Sequence, residues 1–298
     1  MKLKGLSLFS SVGIAETYMD EYGIEIRVAN EVLPDRARMY THLYPKCKMI
    51  TGDITCADVK KAIINEAINE KCDFLIATPP CQGMSTAGKK LKDDPRNRLI
   101  IDAVEVIKVI KPKFIILENV PAQLHTSILV DGKWIKIPEY LNRELGEKYL
   151  FNTVQCVNAM HYGVPQSRER CVFLLARNDM GFRWEFPKPS DKIITLEEAI
   201  GDLPSLDPEV TDITKEEHKK LFPEYEKKKA KGLAVSKWHY PPKHKLRHVE
   251  AMLHTPEGCS AWSNEYYYPR LKDGRKSRGY KNTYKRQWWN KPAYTVTR

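Results

Sequence analysis

Two runs in this chain, Phe74-Leu75-Ile76-Ala77 and Phe114-Ile115-Ile116-Leu117, contain no polar side chain. A strand that is apolar on both faces belongs inside a sheet covered on both sides, the situation of parallel strands flanked by helices. The surrounding residues extend the pattern. Short β-like runs at 3–9, 24–30, 49–54, 153–158 and 171–176 alternate with helical stretches at 13–22, 34–43, 57–69 and 97–110. That alternation predicts an α/β fold: a doubly wound, mostly parallel sheet with helices on both faces, whose last two strands, joined through 160–165, add an antiparallel edge.

Beyond Asn178 the periodicity fades while proline and charge rise, so the expected domains are 1–177 and a second, smaller region, 178–298. In the second region 197–200 reads as a short helix and 216–231 as a longer polar one. The formal net charge of +11 is uneven: residues 227–298 hold 18 basic against 4 acidic side chains, interleaved with Trp238, Tyr240, Trp262, Trp288 and Trp289. Basic groups neutralise phosphates and aromatic groups contact bases, so this stretch reads as a nucleic-acid footprint. No apolar run approaches the ~20 residues that span a bilayer. The seven cysteines include no C-x-x-C pair, which argues against a disulfide framework and fits a reducing cytoplasm. The spacing of His239, His244, His248 and Cys259 matches no standard zinc site, and no metal is expected.

In doubly wound sheets ligands bind beyond the carboxyl ends of the strands, and several chemically able residues fall there. The first strand runs into the small-residue turn Phe9-Ser10-Ser11-Val12-Gly13, the kind of connection that holds a nucleotide-like cofactor. Glu31 ends the second strand, where an acid can accept ribose hydroxyls, and Asp53 ends the third; each alone reads equally well as a capping or surface acid. After Phe74-Leu75-Ile76-Ala77 comes Thr78-Pro79-Pro80-Cys81-Gln82, whose prolines hold Cys81 on a stiff turn. Read alone, Cys81 is a candidate nucleophile or a structural thiol. Glu118-Asn119-Val120 ends the fifth strand, placing a partly desolvated carboxyl suited to proton donation one strand away. Arg168 and Arg170 project to one face of the last strand, as catalytic partners or as a salt-bridged edge.

Taken in order, residues 9–16, Glu31, Gly52-Asp53-Ile54, Pro79-Pro80-Cys81-Gln82, Asp93-Asp94-Pro95-Arg96-Asn97-Arg98-Leu99, Glu118-Asn119-Val120 and Gln166-x-Arg168-x-Arg170 resemble the cytosine-5 DNA methyltransferases over essentially the whole chain. The resemblance implies a Rossmann-like, S-adenosylmethionine-dependent methyltransferase of the bacterial type, serving a restriction-modification system and acting on double-stranded DNA. It implies that Cys81 attacks C6 of a flipped-out cytosine while Glu118 engages ring N3 and the exocyclic amine. Arg168 would orient Glu118, Arg170 would support the Cys81 loop, and Asn119 would brace it. For the cofactor it implies Phe9, Ser10, Ser11, Gly13, Glu31, Val32, Asp53, Ile54, Pro80 and Leu99; for DNA it implies Gln82, Ser85, Lys89, Arg98, Thr295 and Thr297. The chain departs from the family's Asp-Leu-Phe-x-Gly-x-Gly-Gly at Ser7, Ser11 and Ile14, which puts the turn geometry in question. Family members continue past the position of Arg298 with a Gly-Asn-containing helix, so the expectation is a truncated product or, preferably, a split enzyme whose second polypeptide supplies that helix. A tRNA methyltransferase and a non-catalytic DNA-binding subunit are the alternative readings.

Overall fold

The computed structural model describes residues 2–80, 94–264, 267–268, 270–271, 273–276 and 285–296. The chain forms two units, Met1–Asn158 with Glu169–Lys188, and Ala159–Arg168 with Pro189–Arg298. The division therefore lies after Lys188 rather than at 177, for a packing reason: the rings of Phe182 and Trp184 lie 6.0 and 5.7 Å from that of Phe114, which holds this tail on the first unit. The second unit takes 159–168 because Gln166–Ser167 pairs with Ala293–Tyr294.

In chain order the strands of the first unit are β1 (Leu3–Leu8), β2 (Ile24–Glu31), β3 (Lys48–Thr51), β4 (Phe74–Ala77), β5 (Phe114–Asn119), a hairpin of β6 (Ser127–Val130) and β7 (Lys133–Lys136), β8 (Tyr149–Phe151) and β9 (Cys156–Asn158). After β10 (Gln166–Ser167) of the second unit comes β11 (Glu169–Arg177). The main sheet runs β3-β2-β1-β4-β5-β11-β8, parallel from β3 to β5 and antiparallel where β11 meets β5, β8 and β9. The winding leaves β1 first toward β2 and β3, then crosses to β4 on its other side. The switch point thus lies between β1 and β4, where doubly wound sheets open a crevice.

Burial follows from the two apolar runs. Every residue of β4 is buried, and Leu75, Ile115 and Leu117 are sealed in one core with Leu6, Leu8, Ile100 and Ile107. Helices α1 (Pro34–Leu43), α2 (Ala57–Asn69), α3 (Leu99–Ile110) and α4 (Ile137–Leu145) flank the sheet, and α3 buries Ile100, Ala103, Val104 and Ile107 at helical spacing. The expected helix at 13–22 is instead a series of turns with three-residue bonds such as Met19 N–H to Glu16 O and Tyr22 N–H to Met19 O. Side chains share the carbonyls of these turns with the backbone: Tyr44 Oη donates to Gly13 O at 2.6 Å and Thr17 Oγ1 to Ile14 O at 2.9 Å.

The second unit has few long elements. Besides β10 it holds β12 (Glu209–Val210), which pairs with β13 (Lys243–His244), and β14 (Ala293–Tyr294). Its helices are α5 (Leu196–Ile200), α6 (Lys215–Leu221), α7 (Tyr225–Val235) and α8 (Leu246–Leu253). The single helix expected at 216–231 is two, because Pro223 disfavours helical backbone at Phe222 and cannot donate a helix bond. Among the described residues no helix is long and apolar enough to cross a membrane.

Candidate active site

The carboxyl edge of the sheet gathers the strand-end residues of the first unit. In β1–β2 the register sets Leu8 beside Asn30, and in β2–β3 it sets Glu31 beside Thr51, so the turn after β1 and the ends of β2 and β3 lie at one level. Phe9 and Ser11 adopt left-handed φ of 59° and 51°, and Gly13 adopts 83°. For residues with a Cβ that conformation is costly and persists only where neighbours hold it. They do: Ser10 Oγ donates to Asn30 O at 3.1 Å, Ser11 N–H to Glu31 Oε2 at 2.9 Å, and Tyr44 Oη to Gly13 O. A Cβ on Gly13 would meet the Tyr44 ring at 2.2 Å, so at this position space and backbone angle both require glycine.

Glu31 is buried, its Oε1 accepting Leu33 N–H at 2.8 Å and its Oε2 that of Ser11. Two backbone amides therefore fix the carboxylate, and each oxygen retains a second acceptor direction for hydroxyl groups. Asp53 is exposed, and its Oδ1 accepts both Thr55 N–H and Thr55 Oγ1–H at 2.9 Å, a local cap that leaves Oδ2 for other donors. Val32 is exposed beside Glu31, whereas Ile54 is sealed in the core. Leu99 begins α3, packed on the core, and Arg98 precedes it, exposed. Just before them Asp94 accepts Arg96 N–H and binds the Arg96 guanidinium, which pulls its carboxyl down to about 2.

On the other side of the switch point, Thr78 N–H donates to Leu8 O at 3.3 Å and Thr78 Oγ1 to Phe9 O at 3.2 Å, tying the end of β4 to the turn after β1. Asn119 is buried at the end of β5, with Nδ2 donating to Pro79 O at 3.0 Å and Oδ1 accepting Val120 N–H at 2.8 Å. Its neighbour Glu118 forms an ion pair with Arg170 on the adjacent β11, Oε1 to Nε 2.9 Å. The structure brings together Phe9, Ser10, Ser11, Gly13, Glu31, Pro80, Glu118, Asn119 and Arg170 along this edge. Arg168 and Thr295 belong to the second unit, where Arg168 O accepts Ala159 N–H and Thr295 Oγ1 donates to Ser167 O at 2.9 Å. Cys81, Gln82, Ser85, Lys89 and Thr297 lie outside the described residues.

Three residues of this edge carry work to which the motifs assigned no role. Asn30 is buried and its Nδ2 reaches the carbonyls of Ile50 and Gly52, fastening the end of β2 to the turn after β3. Tyr44 holds Gly13 from α1, a contact without a local signal in the sequence. Glu16, buried at the far arm of the cofactor-type turn, accepts the Ser7 hydroxyl; a serine where an acid is usual, followed by an acid nine residues later, was the available sign.

Comparison with known proteins gives this edge its context. The sequence profile of C-5 cytosine-specific DNA methylase matches residues 3–297. The type II methyltransferase M1.HgaI of Avibacterium volantium is 39% identical over 99% of this chain and 77% of its own length. M1.HphI of Haemophilus parahaemolyticus is 36% identical, but the match covers 69% of this chain and 54% of that protein. A crystal structure assigned as a prophage-encoded DNA modification methyltransferase of E. coli superposes with a TM-score of 0.62 over 92% of this chain and 81% of its own, at 20% identity, a likeness of fold. With a profile spanning nearly every residue, the chain belongs to the C-5 cytosine-specific DNA methylase family.

Proposed function

We propose that the chain transfers a methyl group from S-adenosylmethionine to C5 of a cytosine in double-stranded DNA, as the modification enzyme of a restriction-modification system. The observation that carries this reading is the Glu118–Arg170 pair, set beside an asparagine that holds the Pro79 carbonyl two residues before Cys81. A thiol nucleophile alone does not open an aromatic pyrimidine; it needs an acid placed to take up charge at the ring nitrogen, and such an acid contributes ~10²–10⁴-fold. Here the acid is oriented by a guanidinium, and the loop that leads to the thiol is fixed by the residue next to it.

The residues fit the methyl donor. The strained turn 9–13 and the amide-fixed Glu31 carboxylate make a cradle of backbone and acceptor groups at the switch point, with Val32 exposed beside it to meet an apolar ring. Phe9, Ser10, Ser11, Gly13, Glu31, Val32 and Asp53 would hold the donor, and bound there it supplies an electrophilic methyl group. Cys81 as thiolate would form the bond to C6, shifting ring electrons toward C5 while Glu118 holds a proton at N3. Loss of the C5 proton afterwards expels the thiolate. The basic, aromatic second unit would bind the duplex, with Thr295 among its contacts, and the target base would leave the stack to reach the acid.

Two measurements test this. Labelled methyl should pass from S-adenosylmethionine to duplex DNA, and a 5-fluorocytosine duplex should trap a covalent adduct that Cys81→Ala cannot form. Transfer to tRNA instead of DNA, or an adduct that survives Cys81→Ala, would overturn the proposal.

A further inference from the structure

The turn after β1 is clamped at its middle by Asn30, Glu31 and Tyr44, but its two ends are joined by a different pair. Ser7, the buried penultimate residue of β1, donates its hydroxyl to Oε1 of Glu16 on the returning arm. Both residues are almost completely enclosed, Ser7 at 2% and Glu16 at 3% exposure. Glu16 Oε2 is buried with no hydrogen-bond partner among the described residues. Burying an acid with half of its acceptors unused is unfavourable, which sets Glu16 apart from the other acids of this edge. Burial pushes the Glu16 carboxyl upward and the Ser7 bond pulls it down, the first being the larger effect. Between the two arms lie three residues with φ in the left-handed region, two of which carry a side chain.

We propose that Glu16 is a positioning residue for the cofactor: its carboxyl bridges the two arms of the turn and so holds Phe9, Ser10, Ser11 and Gly13 in the shape that receives S-adenosylmethionine. The proposal rests on the cofactor reading above. Glu16 touches no cofactor atom itself and acts through the backbone it ties down. The bond it makes is the closing link of a strained loop, so losing either partner releases the same constraint.

The test is a double-mutant cycle on the full chain, read by calorimetric binding of S-adenosylmethionine and by hydrogen exchange at the amides of residues 9–16 without ligand. Ser7→Ala and Glu16→Leu should each weaken binding by roughly tenfold or more, the scale of a lost buried hydrogen bond to an ionisable group. The double variant should be no weaker than the worse single variant, since both remove one interaction. Glu16→Gln, whose amide oxygen still accepts the Ser7 hydroxyl, should bind within about threefold of the parent, and the two disruptive variants should exchange faster over 9–16. Losses that multiply in the double variant, parental binding in Ser7→Ala, or a Glu16→Gln loss as large as that of Glu16→Leu would each overturn the role. Should Glu16→Leu fail to fold, Ser7→Ala and Glu16→Gln still decide it. A parent chain that does not bind S-adenosylmethionine would refute the cofactor reading instead, and exchange that is unchanged in every variant would refute the clamp independently of that result.

Discussion

The two units hold themselves together by different physics. In the first, long-range packing dominates: β4 is buried end to end, and a continuous core runs from Leu6 to Leu175. In the second, the buried apolar residues among those described are few and mostly small, Val210, Val249, Ala251, Ala261 and Ala293. Order there comes from local polar devices. Thr195 with Glu198 and Thr214 with Glu217 form reciprocal capping boxes, while Lys285 sits 3.7 Å from the centre of the Tyr294 ring and Lys291 5.0 Å from that of Trp288. The contrast matches the work proposed for each. A bond-forming site needs groups fixed to fractions of an ångström, which a buried sheet edge supplies, whereas a surface that meets phosphates needs charge kept in water.

The largest effect that would break this contrast is ionic. Duplex binding should fall by ~10³-fold or more between 50 and 200 mM salt, because counterion release scales with the phosphates neutralised, while binding of S-adenosylmethionine to the sheet edge should change little. Equal salt slopes for the two ligands, measured by anisotropy and calorimetry, would erase the division of labour. Next, Glu118→Gln should lower the methylation rate by ~10²–10⁴-fold with the affinity for S-adenosylmethionine retained, since the amide keeps the shape but not the acid. Third, Leu75→Ala should destabilise the first unit by about 2–5 kcal/mol in urea unfolding. Trp238→Ala, at a side chain 76% exposed, should stay within about 0.5 kcal/mol of the parent. Comparable losses would show that the second unit depends on packing as much as the first.

Where long-range packing dominates, the sequence was most readable. The runs at 74–77 and 114–117 became β4 and β5, and the helix expected at 57–69 is α2. What escaped were elements decided by distant partners. The turns at 13–22 have the composition of a helix, but Tyr44, thirty-one residues on, captures the Gly13 carbonyl. The β6–β7 hairpin and α4 lie in a stretch, 121–150, whose alternation is too brief to separate from loop. At the site, Glu31 and Arg170 were identifiable from motif order, yet a partner of each was not: Glu31 is held by Ser11 and Leu33, and Arg170 pairs with Glu118. Motifs name residue types and spacing; hydrogen-bond partners follow from three-dimensional register.

Smaller still is the effect of a single cap. Thr214→Ala should cost about 1 kcal/mol, seen as faster hydrogen exchange confined to α6, because this helix buries no side chain through which the loss can spread.

The finest distinction between the units is the sign of their pH dependence. Glu217 accepts the Thr214 backbone N–H and hydroxyl, which holds its carboxyl below the ordinary range; desolvation opposes this only weakly. A depressed acid contributes stability that is present above its unfolded value and is lost as pH falls through the folded one. Glu217→Gln should therefore speed exchange in α6 at neutral pH and converge on the parent in acid. Glu16 behaves in the opposite sense, because burial raises it. Its contribution is complete below the unfolded value and lost as pH rises through the folded one, so Glu16→Gln should match the parent in acid and become the more stable of the two toward neutrality. Urea titrations of the parent and of Glu16→Gln across pH 4–8, beside α6 exchange in Glu217→Gln, would give curves that diverge in the same direction of pH but with opposite sign. Divergence of one sign would mean that the turn after β1 is hydrated like the surface of the second unit, and the enclosure argued for Glu16 would fail with it.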